Sequence, residues 1–176
     1  ESLDPPLTVS AGTREVMFNV FEGLVKPTPD GDLTDAVASR HEVSADGTVY
    51  TFTLREGVKF HSGAAVTVDD VVWSIGRCAD AGEGKAPLVE AFSNIQSVKA
   101  ADEKTVIITL KAPDSEFLAS LTAAILPKDY DGQAAAPVGT GPFQFSGRVA
   151  GDSISLERFD AYWGDRPALK NVTFKI

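Results

Sequence analysis

A chain of 176 residues with 43% hydrophobic content suits one globular domain with a real core. A net charge of −9, from 16 Lys and Arg against 25 Asp and Glu, argues against nucleic acid and against anionic membrane surfaces as partners. The single cysteine, Cys78, excludes an internal disulfide, and the longest weakly polar run, Phe117 to Leu126, is too short to span a bilayer.

Taken in order, the chain opens on Pro5-Pro6, which resists helix and reads as extended. Leu7-Thr8-Val9 is expected as a short strand, and Ser10-Ala11-Gly12 as a small-residue loop. Thr13 is placed to cap a helix running to about Glu22. Val16, Val20 and Leu24, with Met17 and Phe21, give that helix its apolar face, and Gly23 a stop. Asp30-Gly31 signals a hairpin between Leu24–Lys26 and Leu33.

Ser39 to Val43 is expected to pair with a strand that follows the turn Ser44-Ala45-Asp46-Gly47. In that strand Tyr50, Phe52 and Leu54 share one face, and Thr51, Thr53 and Arg55 the other. Thr67 then caps a helix with Asp69 and Asp70 in its first turn, where carboxylates suit the positive end of the dipole. Cys78 falls inside this helix and reads as a small packed hydrophobe rather than a reactive thiol.

Pro87 to Phe92 is expected as a short helix with Pro in its first turn. Ile95–Ala101 and Thr105–Leu110 form a second hairpin. Pro113 starts another helix through Leu121, with Phe117, Leu118 and Leu121 inward, and Leu126-Pro127 breaks it. Gln133 to Ala136 reads as a mobile loop. Phe143–Val149 and Ser153–Arg158 form a third hairpin around Gly151-Asp152, and Val172–Ile176 is a last strand. Hairpins distributed among short helices define an α+β fold. No repeat and no interdomain linker is evident.

Catalytic constellations are missing. There is no Gly-x-Ser-x-Gly elbow. Gly139-Thr140-Gly141 is followed by Pro142, which cannot donate an N–H to a phosphate, so a tight turn is the better reading. His41 and His61 lack the close partners a zinc site needs. Asp69 and Asp70 are explained by the helix start, and Trp73 and Trp163 read as packing, with Trp163 alternatively facing a cleft. No enzyme activity, cofactor or metal is expected.

One stretch carries more than structure. Asp46 to Gly63, DGTVYTFTLREGVKFHSG, followed by Thr67 to Arg77, TVDDVVWSIGR, resembles the signature region of the extracytoplasmic solute-binding proteins of the peptide/nickel family. These are the receptors of binding-protein-dependent ABC importers. Ser62 departs from the Asp usual there. Leu3-Asp4-Pro5, Phe21-Glu22-Gly23-Leu24-Val25, the loop Pro137 to Phe143, Glu157–Trp163 and Val172–Ile176 extend the resemblance over nearly the whole chain. Family chains continue into a second lobe and begin with a strand missing here. No signal sequence is apparent, so the chain reads as a mature or truncated product.

The resemblance implies that residues 1–176 form the N-terminal lobe, with its extra subdomain, of a two-lobed clamshell. It implies a receptor outside the cytoplasmic membrane, periplasmic or lipid-anchored. Its partners are the membrane subunits of an ABC importer and a small solute, foremost an oligopeptide. A noncatalytic protein-interaction domain and, behind it, a hydrolase are the alternatives.

Candidate ligand contacts lie in loops. Val9, Ser10, Ala11 and Gly12 precede a helix start whose backbone groups can hold a carboxylate or a peptide main chain. An ordinary capping loop is the competing reading. Arg14 is a further candidate for an anionic ligand, or else a solvated charge. Lys128 and Thr140 are candidates only through the family's cleft-facing loops.

Overall fold

In the computed structural model, which describes every residue from Glu1 to Ile176, nine strands form three antiparallel sheets. A two-stranded ribbon pairs β1 (Val25–Pro27) with β2 (Leu33–Asp35). The largest sheet joins two hairpins, β3 (Ala38–Val43) with β4 (Val49–Leu54) and β5 (Ile95–Asp102) with β6 (Thr105–Leu110), in the order β3-β4-β6-β5. The β3–β4 turn closes because Gly47 adopts φ 75° and donates its N–H to Ser44 O at 2.9 Å. Asp46 Oδ1 accepts from Thr48 N at 3.1 Å on the far side of the same turn.

Alternation decides which face of this sheet is wet. Tyr50, Phe52 and Leu54 of β4 are buried, as are Val106, Ile108 and Leu110 of β6. Tyr50 pairs with Ile108 and Phe52 with Val106, so their side chains fuse into one apolar surface. Helix α2 follows α1 (Ala11–Met17) in the chain and spans Val68–Ala79; Val68, Val71, Ile75 and Cys78 recur at helical spacing and lie against that surface. A capping box starts α2: Asp70 N donates to Thr67 Oγ1 at 3.3 Å, and Thr67 N donates to Asp70 Oδ2 at 2.9 Å. Phe117 of α3 (Phe117–Ser120) and Phe92 complete this core.

A second core lies under the third sheet, β7 (Phe143–Val149), β8 (Ser153–Arg158) and β9 (Asn171–Lys175), with β8 central. Ile154 and Leu156 point inward from β8 and meet Leu3, Val16, Met17, Val20, Phe21 and Leu126. The two cores are stitched at Ser74 on α2, whose Oγ donates to Leu126 O and accepts from Leu126 N, at 3.1 and 2.8 Å.

Several expected elements come out differently. Pro5–Leu7 form a 3₁₀ turn, and Leu7–Val9 form no strand. Thr8 is buried instead, donating its hydroxyl to Asp4 O at 2.9 Å. Helix α1 is capped by Ser10, not Thr13, and stops at Met17 instead of reaching Glu22. The carbonyls of Asn19 and Val20 are taken by Phe143 N and Gly141 N, at 3.0 and 2.9 Å, so the helical ladder gives way to the 137–143 loop. Gly23 is therefore not a helix stop; a Cβ there would fall 2.3 Å from Leu121 O. Leu88 N donates to Cys78 O at 2.8 Å, which holds Pro87 out of helix and leaves a 3₁₀ turn at Glu90–Asn94. The helix expected from Pro113 is reduced to the single turn of α3. Gln133 is buried and pinned, its side-chain amide bonding Val138 O at 2.8 Å and Val138 N at 2.9 Å, where a mobile loop was expected.

Candidate ligand cleft

Two adjoining hollows lie beside α1. The larger, about 350 Å3, opens between α1, the N-terminal 3₁₀ turn, the inner face of α2 and the segment Thr122–Leu126. The smaller, about 250 Å3, adjoins it beside Gly23, Val25 and Lys26. Phe18, Phe21 and Thr122 belong to the walls of both. Phe18 is 61% exposed, an unusual posture for a phenyl ring beside a hollow.

Of the seven residues singled out in the sequence, Arg14 alone lines either hollow. Its Nε donates to Thr8 O at 2.8 Å, which orients the guanidinium in the wall of the larger one. Val9, Ala11 and Gly12 are exposed and continue directly from Thr8, itself a wall residue. Ser10 serves as a cap, with Thr13 N donating to its Oγ at 3.4 Å. The helix start is further occupied by the Glu1 carboxylate, which accepts from Ser10 N at 2.8 Å and from Thr13 Oγ1 at 3.3 Å. Those donors are satisfied within the chain, which favours the capping reading for their backbone groups. Lys128 is exposed, and its backbone N–H is spent on Asp70 Oδ1 at 3.0 Å. Thr140 is fully buried with no partner for its hydroxyl, so its side chain presents nothing to the hollow.

Three polar arrangements fasten the chain here, two of them through residues that line the hollows. Asp4, buried at the N-terminal turn, receives both Nη groups of Arg77, one of them at 3.0 Å from Oδ1, and Arg77 also lies 5.6 Å from the Trp73 ring centroid. This clamp ties the first residues to α2. Glu22, 6% exposed, accepts from Tyr162 Oη at 2.8 Å and from Trp163 Nε1 at 2.8 Å, with Lys26 Nζ at 3.3 Å. Arg55 stacks on Trp163, 4.0 Å from the ring centroid. Burial, then the Glu22 charge, pushes the Tyr162 phenol far above its usual range, so it stays a neutral donor. Trp163 is thus a packing residue here.

His61 forms the third. Gly139 N donates to His61 Nδ1 at 3.2 Å, so Nε2 carries the hydrogen and donates to Gly141 O at 3.0 Å. Burial lowers the imidazole pKa to about 4, against the opposing pull of the Gly141 carbonyl. The ring is neutral at pH 7 and works as a fastener for the Gly139–Gly141 loop. Cys78 lines the larger hollow as an unreactive thiol, its pKa raised to about 11 by burial. No group of three or more His, Cys, Asp or Glu side chains is arranged to hold a metal ion. No helix is long and apolar enough to cross a membrane.

The sequence reading missed Phe18, Leu88 and Val89 as wall residues. Phe18 had a legible signal, since it falls outside the apolar face assigned to its own helix.

This geometry has close counterparts. The profile of the bacterial extracellular solute-binding proteins, family 5 (middle), matches residues 32–176. The glutathione-binding protein GsiB of Pectobacterium atrosepticum is 31% identical over 183 residues, covering 99% of this chain and 35% of the relative. The dipeptide-binding protein of Escherichia coli is 34% identical over 174 residues, covering 82% of this chain and 32% of the relative. The periplasmic binding protein AgaA from A. tumefaciens R10, solved with agropinic acid, superposes with a TM-score of 0.92 at 33% identity, over 99% of this chain and 37% of that one. The chain belongs to the family 5 extracellular solute-binding proteins, a family of the peptide/nickel importers and not of enzymes. It spans about a third of the length of the curated relatives it matches.

Proposed function

We propose that this chain is the first lobe, with its accessory subdomain, of a two-lobed receptor that delivers a small solute to an ABC importer outside the cytoplasmic membrane. The solute is an oligopeptide in this reading. The observation that carries it is the open hollow at α1: one wall of a site, apolar at Phe18 and Phe21 and basic at Arg14, facing solvent in a chain of a solute-binding family. Two hydrophobic cores stitched at Ser74 support a lobe with a subdomain. Val9 to Gly12 continue from Thr8 in this wall, while Lys128 and Thr140 line neither hollow.

Such a receptor works without covalent chemistry. The second lobe closes over the solute, and closure is favoured by the contacts the solute makes to both walls. Half the contacts of a micromolar ligand correspond to about 4 kcal/mol, enough to leave a millimolar site on one wall. Calorimetry with di- and tripeptides on the full-length protein and on residues 1–176 tests this. The expected result is micromolar binding to the whole and near-millimolar binding to the segment. Equal affinities would put the whole site within these residues and overturn the two-lobe reading.

A further inference from the structure

The charges around the cleft are not equivalent. Arg77 is neutralised by Asp4. Glu22 is neutralised by Lys26 and held by Tyr162 and Trp163. Arg14 forms no salt bridge in the chain. Its single side-chain bond runs from Nε to a backbone carbonyl, which orients the guanidinium while leaving both Nη groups without a protein partner. A planar fork with two free donors, held in place beside a hollow, matches a carboxylate in two-point contact. In a chain of net charge −9, this is the one wall cation not already paired. Phe18 stands one helical turn further on, exposed at the junction of the two hollows.

We propose that the cleft fixes the polarity of its solute: an anionic carboxylate seats on Arg14, and the apolar remainder runs over Phe18 toward the second hollow. Arg14 is then the specificity-determining residue of this wall. The inference rests on the solute-cleft reading above and adds to it which end of the solute faces α1.

The test uses trialanine, trialanine amide and N-acetyl-trialanine as probes on the full-length protein, by calorimetry, in the wild type and in Arg14→Gln. Arg14 is exposed and its Nε bond is to a carbonyl, so the variant is expected to fold, checked by its melting temperature. The wild type is expected to bind trialanine and its N-acetyl form alike, and the amide at least tenfold more weakly. Arg14→Gln is expected to bind all three within about twofold of one another. A wild type that binds acid and amide equally, or a variant that keeps the preference, overturns the polarity while leaving the peptide reading standing. Binding of none of the probes by the wild type overturns both.

Discussion

Gly139 donates its backbone N–H to Nδ1 of His61 across 78 residues of sequence. The bond exists only while the imidazole is neutral, because a protonated ring would meet the N–H with a second donor. The folded-state pKa of about 4 lies below the 6.5 of the exposed group. The contribution of His61 is therefore fully present above pH 6.5, is lost as pH falls, and levels off below about 4. A displacement of this size corresponds to about 3 kcal/mol in total. His61→Gln keeps an acceptor and a donor but cannot titrate, so urea denaturation of the variant should be flatter between pH 7 and pH 4.5. A wild type and variant that lose stability in parallel over that window would contradict the assignment.

Phe52 is completely buried in the core that β4, β6 and α2 share. Phe52→Ala should cost about 3–5 kcal/mol, transfer and cavity terms together. Thr53→Ala, on the opposite face of the same strand, should cost far less. Chemical denaturation of both variants checks the register; equal losses would mean that β4 does not present the face seen here.

Glu22 accepts from both Tyr162 and Trp163, and a neutral amide can accept from only one of them without turning a donor toward the other. Glu22→Gln should destabilise by about 1–3 kcal/mol, the cost of one unsatisfied buried partner. Lys26→Met should matter less, since that side chain is one-third exposed. A larger loss for Lys26→Met than for Glu22→Gln would show that the contacts of Lys26 with Glu22, Tyr162 and Trp163, not the two hydrogen bonds to Glu22, hold the corner.

Thr140 carries a buried hydroxyl with no partner. Replacing it with Val removes an unsatisfied group at constant shape, so Thr140→Val should be neutral or stabilising by up to about 1–3 kcal/mol. On the receptor reading proposed above, peptide affinity of the full-length protein should stay within twofold of wild type. A drop of tenfold or more would restore Thr140 to the ligand site by way of a rearranged loop.

The hairpins were legible because each is a local event, whereas the pairings of β4 with β6 and of β8 with β9 were not. Asp46-Gly47, Asp30-Gly31 and Gly151-Asp152 fix turns, and strict alternation around Phe52 and Ile108 fixes the faces. The helix at Thr67 was legible for the same reason, since its capping box lies within four residues. What local pattern could not reveal was competition from afar. The stretch from Phe18 to Glu22 has the composition of a helix, yet its carbonyls serve Gly141 and Phe143, more than 120 residues on. The cleft is of that second kind. Arg14 could be named from its residue type, but its freedom from any carboxylate depends on where Asp4 and Glu22 found their own partners.

The glycines of the 137–143 loop have a consequence for anyone who would recombine this chain. A Cβ on Gly139 would fall 2.4 Å from Val20 O, and one on Gly141 would fall 2.6 Å from Asn19 O. Two main chains are pressed together there with no room for a side chain, and Gly23 meets Leu121–Ala123 in the same way. A chimaera that imports its first 24 residues from a cousin must therefore import backbone geometry, not merely compatible surfaces. Crossover points chosen between the two cores would cut through this seam. Grafts that move residues 1–24 together with 121–143 should inherit it whole.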